Sequence, residues 1–555
     1  MSHPYGWLSL VPPFVAIILA IVSRRAVMSL LAGLVCGALI TSGGDPWIAL
    51  YDILEIHLWP SLTDPDKLRV FAFTLMMGAM IGIVSGNGGM AGLMRLVAPL
   101  ANSRRSGQLA AWLSGIIIFF DDYANTVLLG GTLRPLCDRW KISREKLAYL
   151  VDSTAAPVAG LSLLSTWVAV ELDYIQEGLQ SLPMPTDLQA IELFIGSIPY
   201  RFYVIASLLF IPILALTGRD FGAMWRAERR RWTSSTEESN KEETNSAALS
   251  TSDRAAHWYD AVVPIVTTVV VVLSLFYITG RQALAMTDGD AGLKEIFGAA
   301  DSYFSLQYGA LAGLVAAAAL SRIQGLLSSS QIARLAADGA RVMLPALAIL
   351  WCASALSRMT GDTSVDGSAP TLAYEFQSHR LYTADYLANL VSARNDEESD
   401  QFQTVTVKLL PTVVFLLAAL LSFSTGTSFG TMGILIPMVI PLTYTLLTAD
   451  GAALDTRHPI MLGAVGSVLA GAIFGDHCSP ISDTTILSSQ ACGCDHMAHV
   501  LTQLPYALTV GVLSIVLGTL PLGWGIPVMI LWPCQLVTMM AVILWVGRPI
   551  GESNC

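Results

Sequence analysis

Four short polar stretches interrupt long apolar runs: DDYANT (121–126), VDSTAAP (151–157), STGTS (424–428) and GDHCSPISD (475–483). Each sets carboxylate, amide or hydroxyl groups close to Gly or Pro. Together with freed backbone carbonyls they offer oxygen, which hard cations prefer. A site built from them would draw on Asp121, Asp122, Asn125 and Thr126; on Asp152, Ser153 and Thr154; on Thr425, Gly426, Thr427 and Ser428; and on Asp476, His477, Ser479, Ser482, Asp483 and Thr484. A carboxylate inside a bilayer is costly and reads as functional by default. Blander roles compete. Asp152 can cap a helix beside the basic loop before it, Pro157 and Pro480 can simply kink helices, and Ser162 and Ser165 can bond back to their own turn. His477 can serve only as a hydrogen-bond partner. Asp121 and Asp122 are adjacent, so on a helix they point about 100° apart and one can be structural. Cys492, Cys494, His496 and His499 form a cluster of metal-ligand types, in an order unlike a standard zinc pattern.

The elements that must hold these groups are membrane helices. Of 555 residues, 54% are hydrophobic and 13% charged, against about 25% charged in soluble domains. Spans are expected near 7–22, 26–41, 68–94, 147–170, 198–217, 259–279, 304–320, 342–358, 458–490, 500–520 and 526–547, with the first retained rather than cleaved as a signal. The stretches 109–137 and 408–447 carry polar residues at their middles and read as re-entrant hairpins. With the N-terminus outside, 21 of the 31 Lys and Arg then face the cytoplasm, as the positive-inside rule requires. If 109–137 crossed instead, the basic run DRWKISREK would face outward directly after NSRRS faced inward. No Walker-type phosphate loop or nucleic-acid motif is visible, and the chain reads as a carrier, not an enzyme.

This assignment produces a repeat. Residues 1–217 give three spans, a hairpin, a polar span and a further span; residues 259–520 give the same order from the opposite side. A polar cytoplasmic linker, 218–258, joins them, and an extra helix and tail, 521–555, follow. APVAGLSLLST (156–166) aligns locally with SPISDTTILSS (479–489). The expected fold is therefore all-α and polytopic, with two inverted repeats, re-entrant hairpins and broken helices, a plan that marks secondary transporters.

FFDDYANTVLLGGTLRPLCDRWKISREKLAYLVDSTAAPVAGLSLLSTW (119–167), TGTSFGTMGILIP (425–437) and GDHCSPISDTTILSS (475–489) resemble the signatures of the NhaC-type sodium/proton antiporter family. The resemblance implies two inverted repeats with hairpins whose tips carry ion ligands. It implicates Asp122, Asn125, Thr126, Asp152 to Thr154, Thr425 to Ser428 and Asp476 to Asp483. The second tip, Gly426-Thr427-Ser428, lacks the Asn of the first, so the two half-sites are expected to be unequal. Members of the family include sodium/proton antiporters and exchangers of organic anions such as malate and lactate. Sodium is expected at Asp122 or Asp483, in competition with a proton. The alternative is a sodium- or proton-coupled carrier of an organic anion or amino acid. No cofactor is expected beyond sodium and protons as transported ions. The expected surroundings are the inner cell membrane, with the C-terminus cytoplasmic and a homodimer left open.

Overall fold

The computed structural model describes residues 4–23, 25–90, 92, 102–182, 189–233, 257–284, 296, 300–360, 379–383, 386, 397–448, 458–480 and 482–550. Most of linker 218–258 (residues 234–256) and most of the expected external segment 362–403 lie outside these. The described residues are overwhelmingly α-helical, with one short antiparallel ribbon joining Arg219–Asp220 to Arg548–Pro549.

Helices of ten or more residues are, in the first half, α1 (Val11–Ser23), α2 (Ala26–Thr41), α3 (Pro65–Gly86), α4 (Arg104–Ile117), α5 (Asp122–Arg139), α6 (Arg144–Leu161), α7 (Val168–Gln180), α8 (Phe202–Thr217) and α9 (Gly222–Thr233). The second half adds α10 (Tyr259–Leu284), α11 (Ser302–Ile323), α12 (Ser329–Val342), α13 (Leu344–Thr360), α14 (Glu397–Thr425), α15 (Ser428–Thr448), α16 (Pro459–Cys478), α17 (Asp483–Cys492), α18 (His496–Ser514) and α19 (Val528–Val546). Among the described residues, eight helices are long and apolar enough to cross a membrane, or up to ten if two bent pairs each count as one span. The start of the linker region is folded: α9 packs on α18 and α6.

Local sequence sets the boundaries. Ser103 and Ser106 form a reciprocal capping box that starts α4. Ser143 accepts from the Lys146 amide at 3.0 Å and starts α6. Gly426, at φ +67°, ends α14 in a left-handed conformation that side chains disfavour.

The two expected hairpins differ. α4 has 14 residues, about 21 Å of rise, short of the roughly 30 Å hydrocarbon layer. It turns at residues 118–121 and returns as α5. The stretch 408–447 is instead two helices, and Val405–Thr425 and Ser428–Thr448 each have the length and hydropathy of a full crossing. Two expected spans are broken: 147–170 divides into α6 and α7, and 458–490 into α16 and α17. The register of the two breaks also corrects the local alignment of 156–166 with 479–489. Pro157 lies inside α6, whereas Pro480 lies in the second break. The matching positions are the C-caps, Ser162 (φ −80°, ψ 133°) and Ser479 (φ −84°, ψ 127°), both extended.

Packing around the breaks is reciprocal. α6 packs on α4 and α5, and α16 on α14 and α15. Beyond its break α7 crosses to α15, and α17 crosses to α5. α8 touches α16, and α18 touches α6. α14 and α16 approach most closely at Gly471 and Gly475, where an added Cβ would lie 2.4 and 2.2 Å from the Phe415 and Ala419 carbonyl oxygens. α15 and α16 are the most enclosed spans, while α10 and α19 expose most of theirs. Trp545, Met529 and Val537 on α19 face outward, as a lipid-facing helix requires.

Candidate functional site

The two hairpin turns and two breaks are tied together by hydrogen bonds. The Asn125 amide nitrogen donates to three carbonyls: Gly115 at 2.8 Å and Ile118 at 3.2 Å in the first arm, and Thr154 at 3.1 Å on α6. This fixes the first hairpin tip to the broken helix. Asn125 Oδ1 and the Thr126 hydroxyl stay buried without a partner among the described residues. Across the first break, Thr166 Oγ1 donates to Asp121 Oδ2 at 3.0 Å, and the Thr166 amide donates to Phe120 O at 2.9 Å. Ser165, one of the residues read as back-bonding within a helix, lies in the break instead. Its hydroxyl donates to Ala159 O at 2.7 Å and accepts from the amides of Trp167 and Val168, starting α7.

At the second break Ser482 starts α17, accepting from the Thr485 amide, and its hydroxyl lies 3.0 Å from Thr484 Oγ1. Thr484 donates to Asp476 Oδ2 at 3.1 Å, and Asp476 Oδ1 is buried without a partner. Ser479 donates to Phe423 O at 2.8 Å and Ser428 to Ala472 O at 3.3 Å, joining this break to α14 and α15. The Thr425 hydroxyl bonds back to Leu421 O at 2.9 Å. His477 Nδ1 lies 3.0 Å from the Tyr203 hydroxyl, not on Asp476.

Asp152 is fully buried inside α6 rather than capping it, and its carboxylate is well occupied. It accepts from Gln503 at 2.6 Å, Thr485 at 3.2 Å and Ser488 at 3.3 Å, with His499 Nε2 at 3.4 Å. Both oxygens are engaged, so Asp152 acts as the tie between α6, α17 and α18. Its neighbours Ser153 and Thr154 are buried too, and Thr154 Oγ1 bonds back to Leu150 O at 2.8 Å.

Asp122, which interacts with Trp167 of the first break, and Asp483 come together at a cavity. Both line one cavity of about 50 Å³, with Thr427 of the second tip, Thr74, Thr166 and Tyr123. Val170, Val342, Met343, Pro345, Ile349 and Phe429 complete its wall. No Lys or Arg is among the lining residues. Asp122 is 2% exposed, as the first residue of α5, whereas Asp483 is exposed at the start of α17. Each sits in the first turn of a helix, where the positive end of the helix dipole favours a negative charge. The space holds a few water-sized occupants.

Several groups here escaped sequence reasoning. Thr485 and Ser488 lie in the quoted GDHCSPISDTTILSS block but were not singled out. His499 enters the sequence reading only as part of the Cys492–His499 cluster, and Gln503, four residues on along the same face of α18, does not enter it. Thr74 is a lone hydroxyl in apolar sequence and carries no signal, while Thr166 closes the quoted stretch APVAGLSLLST beside Ser165. The Cys492–His499 cluster does not converge. His496 bonds Pro480 O and Ser489, and Cys494 bonds Asp495 O. Among the described residues no group of three or more His, Cys, Asp or Glu could hold a metal ion.

A family model described as the Na+/H+ antiporter family matches residues 158–384 and 399–524. An uncharacterized protein of Haemophilus influenzae is 29% identical over 508 residues, covering 90% of this chain and 88% of that one. The malate-2H(+)/Na(+)-lactate antiporter of Bacillus subtilis is 34% identical over 119 residues, 21% of this chain and 23% of that one. The arginine/ornithine antiporter ArcD of Halobacterium salinarum is 36% identical over 116 residues, 20% and 21% of the two chains.

Proposed function

The chain belongs to the Na+/H+ antiporter family, and from that premise we propose that this integral membrane carrier exchanges sodium for protons at the cavity between Asp122 and Asp483. The observation that supports this reading best is the lining itself. Two carboxylates and four hydroxyl-bearing side chains face a space of about 50 Å³ without a basic residue among them. Hard monovalent cations favour such oxygens. A buried carboxylate is costly unless a proton or a cation neutralises it. Asp122 therefore carries one or the other, and alternating access turns that competition into exchange. The NhaC-type signatures at 119–167 and 475–489 favour the same ions.

The reciprocal packing of the broken helices supports an inverted-repeat design, and the distribution of Lys and Arg favours an N-terminus outside and a C-terminus on the cytoplasmic side of the inner cell membrane. In such a design the two hairpin tips and the two breaks rock against each other around the cavity.

The relatives named for malate, lactate, arginine and ornithine raise an organic substrate as the second reading. Against it stands the described lining of the cavity, which holds no Lys or Arg to take a carboxylate. The test is exchange by the purified protein in proteoliposomes, with sodium, lithium, potassium, malate, lactate and arginine supplied in parallel under an imposed pH gradient. Sodium is expected to dissipate the gradient, and the organic solutes are expected to leave it unchanged. Movement of an organic solute with no response to sodium would overturn the assignment.

A further inference from the structure

One buried charge cluster lies outside the cavity but on the same two helices. On α7, Val170 lines the cavity, and Asp173 and Glu177 follow it at three and seven residues, on one face of the helix. On α3, Thr74 lines the cavity and Lys67 precedes it by seven residues, again on one face. Seven residues of helix rise about 10 Å. At that distance, toward the end where α3 begins and α7 finishes, the Lys67 ammonium bonds both the Asp173 and the Glu177 carboxylates. The three side chains are between 3% and 11% exposed. A second cavity, of about 190 Å³, has Leu172 and Gln176 of the same stretch of α7 in its wall, with Tyr303 and Asp301. The triad thus shares α7 with both cavities, the central one reached by Val170 and the outer one by Leu172 and Gln176.

The charges do not balance. Two carboxylates share one ammonium, which leaves one negative charge in a buried cluster. The groups around it do not remove that surplus. From α13, Arg358 is within Coulombic reach of Asp64 first and of Glu177 second, and Cys352 lies near Tyr174. Asp64 caps α3 through the amides of Asp66 and Lys67. Asp66 and Asp301 share Arg69 at the surface. From α11, Tyr303 approaches the acids through an uncharged hydroxyl. From α15, Ile436 and Ile440 close on Gly178. Among the described residues, Glu177 Oε2 and the Tyr174 and Tyr303 hydroxyls are buried without hydrogen-bond partners. A metal cation would meet the Lys67 ammonium already seated between the two carboxylates. A proton needs no such room.

We infer that Asp173 and Glu177, clamped on Lys67, form a second proton-binding station, set on the helix shared by the outer cavity and the Asp122–Asp483 site. One proton shared by the Asp173–Glu177 pair brings the triad to neutrality. The inference rests on the exchange reading only for where that proton goes next. Its test does not need exchange. Infrared difference spectra between low and high pH, recorded without sodium on the full chain in lipid, report the carbonyl band of a protonated buried carboxyl. The wild type is expected to show a band that Glu177→Gln removes, Glu177→Asp restores and Asp122→Asn keeps. Lys67→Met, which removes the competing ammonium charge, should let that band persist to a pH at least one unit higher, and it reads the same station if Glu177→Gln fails to fold. A band unchanged by Glu177→Gln and unmoved by Lys67→Met would overturn the station. If the wild type shows the band yet fails to exchange sodium for protons, the exchange reading falls and the station stands.

Discussion

Asp122→Asn is expected to abolish sodium-coupled proton movement while leaving a folded, membrane-inserted protein. The change is nearly isosteric and removes one formal charge and one ionisable proton site. Asp122 is buried in the cavity wall, so water cannot replace the lost charge. Removing one partner of a buried charge pair costs on the order of 3 kcal/mol or more, and about 3 kcal/mol is a loss of roughly 100-fold in affinity. Asp483→Asn should weaken sodium binding less, because Asp483 is exposed at the start of α17 and encloses the cavity less than Asp122, which is 2% exposed. Asp121 is the internal control. Its carboxylate accepts from Thr166 across the first break, so Asp121→Asn keeps an acceptor oxygen for that bond and should retain exchange. Proton release on sodium addition, followed in proteoliposomes for all three variants, checks the ranking. Wild-type exchange in Asp122→Asn would remove this residue from the site.

Arg201→Met is expected to cost about 3–5 kcal/mol of stability, the range for leaving a buried ion without its partner. Arg201 is 1% exposed and Glu171 is fully buried; they meet at 3.0 Å. The same guanidinium donates to Gly160 O in the last turn of α6 and to the Ser197 hydroxyl at 3.3 Å, over the face of Phe194. Glu171 lies in the first turn of α7. One cation thus sits at the negative end of α6, and its partner at the positive end of α7, each favoured by the adjoining dipole. The pair stitches the two halves of the first broken helix across the break. Arg201→Lys keeps the charge but loses the planar fork that reaches several acceptors at once, so it should be intermediate. Arg201→Met with Glu171→Gln should recover part of the loss, because no unpaired charge remains. Thermal unfolding of the purified variants measures the series. A melting temperature of Arg201→Met equal to wild type would contradict the stitch.

The sequence made the helical, membrane-embedded class plain, because apolar runs with little charge have few other folds available. It also marked where the helices break, since Gly, Pro and hydroxyl residues cluster there and free the backbone. Asp122 and Asp483 stood out because each is an acid inside such a cluster. Other parts had no local signal. Thr74, Val342 and Ile349 face the cavity only because distant helices bring them to it. The Lys67–Asp173–Glu177 triad joins residues more than a hundred positions apart, and Arg201 reads in sequence as an ordinary charge at a helix start. Pro157 and Pro480 look equivalent, but one is carried inside a helix and the other lies in a break, a difference fixed by packing. The lengths of the two arms of 408–447 were not legible for a related reason: a polar tip says where a chain turns and not how long each arm is.

The account turns on a proton and a sodium ion competing for one buried carboxylate, and sodium binding to the purified protein as a function of pH tests this most directly. If the two share Asp122, the apparent sodium Kd rises about tenfold for each unit the pH falls once the carboxyl is protonated, and binding releases a proton. In Asp122→Asn that pH dependence disappears together with the tight binding. A sodium affinity that stays constant across pH, or binding that releases no proton, would contradict the shared site.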